Sequence, residues 1–309
     1  MGFVSLVSFV RFVSFVRFRV RRLVSFVGFV GFVRFVSRGS RSFRGLPVVA
    51  ALCCAGCGAP LMKLPSGPGA PAPDAPAALA EATAACGAVK TLSADIAASG
   101  SVGGQRLRGH LLTGLAAPAS ARLEAVAPAG PPLFIFVASG DDATLLLPRD
   151  DRVLEHGPPA ALLEAVTGVP LDAAGLRAAL TGCASATSTQ GRKLGEDWIV
   201  VHDRSSDLYL HRDPKVARWQ LVAALHRLPG ADAREAEWRA EYRDFQDGLP
   251  RAIHLANAGG TRFNLSLTLS QVALNEPLGP EVFRVEIPPS AERITLDELR
   301  HARPGVREN

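Results

Sequence analysis

From Leu92 to Ile287, apolar side chains keep returning at every second position, in short runs separated by glycine, proline and aspartate. The cleanest runs come late. Ala236, Trp238, Ala240 and Tyr242 alternate with Glu235, Glu237, Arg239, Glu241 and Arg243, and Phe263, Leu265, Leu267 and Leu269 alternate with Asn264, Ser266 and Thr268. A period of two places each set on one face of a strand. Earlier runs read the same way: Leu92/Ala94/Ile96, Leu107/Gly109/Leu111, Leu123/Ala125, Leu133 to Val137, Ala143 to Leu147 and Arg152 to Glu155. Further strands are expected at Gly191 to Leu194, Trp198 to Val201, Leu208 to Leu210, Val216 to Leu225 and Val282 to Ile287. Gly100 to Gly104 is the connection of a hairpin. The parity slips from Leu269 to Val272 and Leu274, which places a β-bulge at Ser270-Gln271.

Helices interrupt this pattern. Ala75 to Lys90 reads as one, with Asp74 at its N-cap and Pro76 in its first turn. Pro158-Pro159 opens another through Val166, and Asp172 caps a third through Leu180, ending at Gly182. Thr295 and Glu298 form the capping box of a short last helix. Ten or more antiparallel strands, each apolar on one face, must curl to bury that face. The fold class is therefore mainly β with a few helices: a single curved antiparallel sheet, an incompletely closed β-barrel whose apolar cavity the helices cover or plug. Ile96, Phe134, Phe136, Trp198, Trp219, Trp238, Tyr242, Phe263, Leu265 and Phe283 are the candidate cavity-lining residues. Alternation points them inward, as packed core or as the wall of a site for a greasy ligand.

The N-terminal region has a different character. Phe-Val-Ser and Phe-Val-Arg triplets recur from Phe3 to Val36, a period that suits neither helix nor strand. Residues 1–45 read as low-complexity sequence ahead of a later translation start, the alternative being a basic, membrane-seeking extension. Arg38, Arg41 and Arg44 then precede an apolar run from Leu46 to Gly56, too short to cross a bilayer and right for a signal peptide. Residues 46–57 end on Ala55-Gly56-Cys57, a lipobox whose Cys57 is the candidate lipidation site. The alternative is an ordinary secretory signal cleaved near Ala51 or Ala59. Residues 58–74, rich in Pro, Gly and Ala, read as a disordered tether, 75–300 as the folded domain and 301–309 as a disordered tail.

Residues 1–56 carry nine arginines and no acid, so of 34 basic and 29 acidic residues the remainder keeps 25 basic against 29 acidic. The basic balance belongs to the leader, and nothing points to nucleic acid. With Cys53 and Cys54 in the signal and Cys57 lipidated, Cys86 and Cys183 remain. In an oxidising compartment a disulfide between them is expected, with two buried free thiols as the alternative. There is no Gly-x-Ser-x-Gly, His-Glu-x-x-His or phosphate loop, so no catalytic residue, metal ligand or cofactor is expected. His202-Asp203 and His211-x-Asp213 read as solvated strand ends, and Asp141-Asp142 and Asp150-Asp151 as turns.

Several stretches together resemble LolB-like outer-membrane lipoproteins of the LolA/LolB superfamily. They are Ala143 to Arg152, Leu162-Leu163, Thr167-Gly168-Val169-Pro170-Leu171, Leu176 to Gly182, Leu274-Asn275-Glu276-Pro277-Leu278 and Val282 to Pro288. The resemblance implies an eleven-stranded, incompletely closed barrel that holds acyl chains or lipoproteins and serves outer-membrane lipoprotein localisation. It also implies a LolA-like periplasmic carrier as partner and a lipid anchor at the periplasmic face of the outer membrane. Gly58 rather than Asp after the lipid cysteine fits that destination. The family's delivery loop carries an exposed leucine within a Pro-Leu-Gly-like turn. Here the matching turn is Pro128-Ala129-Gly130-Pro131-Pro132, with Ala129 at that position, and alternation puts Leu133 in the following strand. A second reading of the same fold is a structural or signalling lipoprotein that binds a protein partner.

Overall fold

The computed structural model describes residues 61–184, 190–203, 205–215, 217–227, 237–257 and 259–301. The leader, the lipobox with Cys57, Glu235, Ala236 and Val216 lie outside the described residues, as does the tail beyond His301.

Among the described residues, fifteen strands make one sheet. They are β1 (Ala70–Pro71), β2 (Thr91–Val102), β3 (Gln105–Ala116), β4 (Ser120–Val126), β5 (Ile135–Ser139), β6 (Asp142–Leu147), β7 (Arg152–Gly157), β8 (Gly191–Lys193), β9 (Trp198–His202), β10 (Ser206–Asp213), β11 (Arg218–Arg227), β12 (Glu237–Arg243), β13 (Ala252–Asn257), β14 (Phe263–Leu274) and β15 (Glu292–Arg293). Their spatial order is β1-β8-β9-β10-β11-β12-β13-β14-β2-β3-β4-β5-β6-β7-β15, so the sheet curls without closing. Neighbours are antiparallel except β15, which runs parallel to β7. The count exceeds the eleven strands implied by the family resemblance.

The helices are α1 (Ala75–Gly87), α2 (Pro159–Thr167), α3 (Ala173–Thr181) and α4 (Leu296–His301). Asp172 Oδ1 accepts from the Gly175 N–H (2.6 Å) at the start of α3, and Gly182 closes it in the left-handed region. The capping box forms: the Thr295 N–H donates to Glu298 Oε2 (2.7 Å) and the Glu298 N–H to Thr295 Oγ1 (3.3 Å). Asp74 stands at the N-cap of α1, but its side chain accepts no bond there. The β2–β3 turn is shorter than expected, because β2 runs on through Val102 and only Gly103 and Gly104, both at positive φ, make the reversal. The bulge of β14 falls between Ser270 and Ala273.

Two of the segments that depart from the sequence expectation cover the sheet face opposite the helices. Val282 to Ile287 is not a strand. Pro280–Phe283 is a 3-10 turn packed on β4 and β5, and Arg122 Nη1 donates to the Arg284 carbonyl (3.1 Å). Residues within 62–71, expected to be part of a tether, are held by the fold. The Met62 N–H donates to Glu241 Oε1 (2.6 Å), Arg239 Nη2 donates to the Met62 carbonyl, Arg192 Nη1 donates to the Gly67 carbonyl (3.0 Å), and β1 pairs with β8. Glu241 is fully buried between Arg239 and Arg243. Removing one member of a buried ionic group leaves the others uncompensated. Glu241→Ala is therefore expected to release the segment, so that limited tryptic cleavage after the exposed Lys63 accelerates by about tenfold or more. An unchanged cleavage rate would contradict the clip.

Candidate functional site

The inner face of the sheet is one apolar surface. Alternation sends Leu92, Ala94 and Ile96 of β2, Leu123 of β4, Leu208 and Leu210 of β10, Ala240 and Tyr242 of β12, and Phe263 to Leu269 of β14 into a single buried cluster. Three helices lie on it. α1 packs on β8 to β11, α2 on β6 and α3 on β3 and β4. α1 approaches closely at its first turns because Ala75 and Ala78 are small and because Gly191 of β8 lies directly beneath Ala75, where any side chain would overlap it. α2 contributes Leu162 and Leu163, and α3 contributes Leu176, Ala179 and Leu180. Cys86, in the last turn of α1, is bonded to Cys183, just beyond α3, with Cα atoms 5.4 Å apart. The bond fixes the spacing of two of the three helices that cover the inner face.

The structure distributes the ten candidate cavity residues in three ways. Ile96, Phe136, Trp238, Tyr242, Phe263 and Leu265 lie in the inner cluster, none more than 6% exposed. Phe134 and Trp219 are partly buried against it. Trp198 and Phe283 are elsewhere. Trp198 points to the outer face, where it joins Val200, Tyr209 and Met62 and lies 4.5 Å from the His211 ring. Its strand is apolar on both faces, since Ile199 and Val201 face inward, so parity carries no direction there. Phe283 sits in the 3-10 turn on the outer side, because Pro280 starts a turn where a strand was expected.

Sequence reading missed one inward group. His226 of β11 stacks on Trp238 at 4.1 Å, and burial lowers its pKa from 6.5 to about 4, so it is a neutral ring in an apolar wall. Burial likewise raises the Tyr242 phenol. Outside, His202 Nδ1 lies 2.7 Å from Asp207, and Arg227 also bonds that carboxylate. Burial pushes Asp207 upward, but the bonds from Arg227 and His202 outweigh it and hold the group below its ordinary value. No three of His, Cys, Asp and Glu gather as a metal site among the described residues.

The loop between β4 and β5 is placed by Arg149, whose Nη2 donates to the Ala129 carbonyl (2.9 Å) and whose Nε donates to the Pro131 carbonyl (3.3 Å). Pro128, Ala129 and Gly130 are exposed. Leu133 is not in the strand. Pro131-Pro132 delays β5 to Ile135, and Leu133 stands 48% exposed beside the end of β4, its N–H donating to the Ala125 carbonyl (2.9 Å). The loop thus presents a leucine after all, four residues beyond Ala129.

No protein-family model and no curated protein matches the chain. Among solved structures, it is similar to a LolA superfamily protein from Nitrosomonas europaea, at 13% identity over 68% of this chain and 97% of that one, with a TM-score of 0.49. It is also similar to a DUF1329 family protein from Desulfovibrio piger (10% identity, 68% and 97% coverage, TM-score 0.45). A third similar structure is the lipoprotein LppX of Mycobacterium tuberculosis (15% identity, 66% and 98% coverage, TM-score 0.29).

Proposed function

We propose that this chain is a lipid-anchored protein of the cell envelope that takes acyl chains, or the acylated end of a lipoprotein, against the inner face of its open sheet. The observation that carries this reading is the continuity of the inner apolar cluster from β10 through β14 and β2 to β6, covered by helices instead of strands. Helices that cover a sheet make none of its ladder hydrogen bonds, so they can separate from it without breaking the ladder, which exposes wall for lipid tails to bury. Lipidation at Cys57 would place the domain at a membrane, and a LolA-like carrier would supply the cargo.

A second reading, a protein-interaction module built on the same fold, draws on the packing of the six inner candidate residues into the protein's own core cluster. One experiment separates the two. Native mass spectrometry of protein released from the periplasm without detergent is expected to show co-purified acyl-chain mass, and a fluorescent fatty acid to bind and be displaced. A clean apo mass with no probe binding would transfer the assignment to the interaction module.

Delivery to a bilayer falls to Leu133 in place of Ala129. Burying a leucine side chain is worth about 1.5–3 kcal/mol. Leu133→Ala is therefore expected to slow transfer of bound lipid into vesicles by about tenfold or more while leaving probe affinity unchanged. Equal transfer rates would remove Leu133 from the role.

A further inference from the structure

The outer face between β12 and β3 has an unusual make-up. Its middle carries the uncharged Asn264 and Ser266 of β14 and Ser99 and Ser101 of β2, while Ala256 and His254 of β13 are buried beside them. Three acids among the described residues belong to this face: Asp95 lies 3.5 Å from His110, Glu241 is buried under the Met62 clip between Arg239 and Arg243, and Glu237 stands at the start of β12. Beyond β2, the outward row of β3 reads Arg106, Arg108, His110, Leu112, all exposed. Arg106 and Arg108 make no ion pair with another described residue.

The ladder relates the two ends of this face. Arg239 pairs with Ala256, Ala256 with Asn264, Asn264 with Ser101 and Ser101 with Arg106. The Met62 clip and Arg106 therefore share one transverse row, four strand spacings or about 19 Å apart, and Arg108 lies two residues along β3. The large apolar side chains exposed among the described residues are Leu61, Leu112, Val126 and Leu133. Leu61 adjoins the clip. Val126 of β4 pairs with His110, Leu112 lies two residues along β3, and Leu133 lies on the other side of β4, in the loop leading to β5. Arginines that form no ion pair with a described residue, with exposed leucines nearby, match a layer of anionic headgroups over hydrocarbon.

We propose that the outer face from β12 to β3 docks on a membrane leaflet containing anionic phospholipid, with Arg106 and Arg108 on the headgroups and the leucines at its rims dipping below them. The proposal takes from the lipid-anchor reading only the reason a membrane is close, since the five residues from Cys57 to Met62 span at most about 18 Å. Docking itself does not need the acyl group.

The test uses the full chain carrying Cys57→Ala, sedimented with vesicles of phosphatidylethanolamine and phosphatidylglycerol, or of phosphatidylethanolamine and phosphatidylcholine. Arg106→Glu/Arg108→Glu is compared with the charge-matched Lys215→Glu/Arg218→Glu at the far end of β10 and β11, circular dichroism confirming both folds. The first pair is expected to lose about tenfold or more of its binding to anionic vesicles relative to the second, and the difference to vanish in 0.5 M salt. Equal binding by the two pairs, an equal loss on neutral vesicles, or retention of an acidic protein in place of vesicles would overturn the proposal. A clean apo mass, or an unacylated Cys57 in the unmodified chain, would count against the carrier or the anchor and leave the vesicle comparison standing.

Discussion

Replacing both Cys86 and Cys183 with alanine is expected to lower the free energy of unfolding by about 4–5 kcal/mol. The two residues are 97 apart in sequence, and cross-linking a loop of roughly 100 residues removes about 4.7 kcal/mol of chain entropy from the unfolded state. In a domain of this size that corresponds to a fall in melting temperature of about 10 °C or more. Guanidinium unfolding under non-reducing conditions reads it directly. The denaturant dependence should change as well, since the unfolded chain is no longer looped. A loss under about 1 kcal/mol would mean that the covered inner face holds α1 and α3 together without the bond. The double variant also informs the proposed function. If lipid tails reach the inner face by parting α1 from α3, freeing the two helices should speed exchange of a fluorescent fatty acid. If they enter elsewhere, stability falls and exchange does not change.

How far the sequence reached is clearest strand by strand. Where one face is apolar and the other polar, parity is a direct reading, and Trp238, Tyr242, Phe263 and Leu265 lie in the inner cluster. Where both faces are covered, alternation has nothing to report. β13 shows no alternation because Ile253, His254, Leu255, Ala256 and Asn257 are all buried, and Trp198 faces outward from a strand that is apolar on both faces. The outer coverings come from far along the chain. Met62 and Leu64 lie over Val200 and Tyr209, while Val285 and Ile287 lie over Leu146 and Val153. What fastens residues 61–72 is mostly main chain, the Met62 N–H and the Met62 and Gly67 carbonyls, and composition cannot show which backbone groups will find a carboxylate or a guanidinium. Gly-, Pro- and Ala-rich sequence therefore read as a tether where the fold has a clasp. Leu133 shows a more local limit. Its apolar neighbours suggested a strand, but Pro131-Pro132 withholds two backbone donors and leaves the leucine in the loop.

His226 gives the second large effect, and it concerns pH. Its imidazole lies against Trp238 on the inner face, where burial lowers its pKa from 6.5 to about 4. Below pH 6.5 the unfolded chain takes up a proton at this position and the folded chain does not until about pH 4. Its stabilising contribution is therefore complete above the unfolded pKa and drains away as pH falls toward the folded one. Between pH 7 and pH 4.5 the loss amounts to about 2 kcal/mol. His226→Phe keeps a flat ring for Trp238 to stack on and removes the titration, so its unfolding free energy should decline less than that of the unmodified chain, by that amount, over the same interval. Asp207 does not confuse the measurement. Its carboxyl is held below its ordinary value of 3.8, so its own contribution is lost only at more acid pH. Parallel pH profiles for the two proteins would mean that the folded chain protonates His226 where it lies, and hence that water or an anion reaches the inner face beside Trp238. That outcome would describe a wall already open to ligand, whereas a flattened profile describes one that lipid must first uncover.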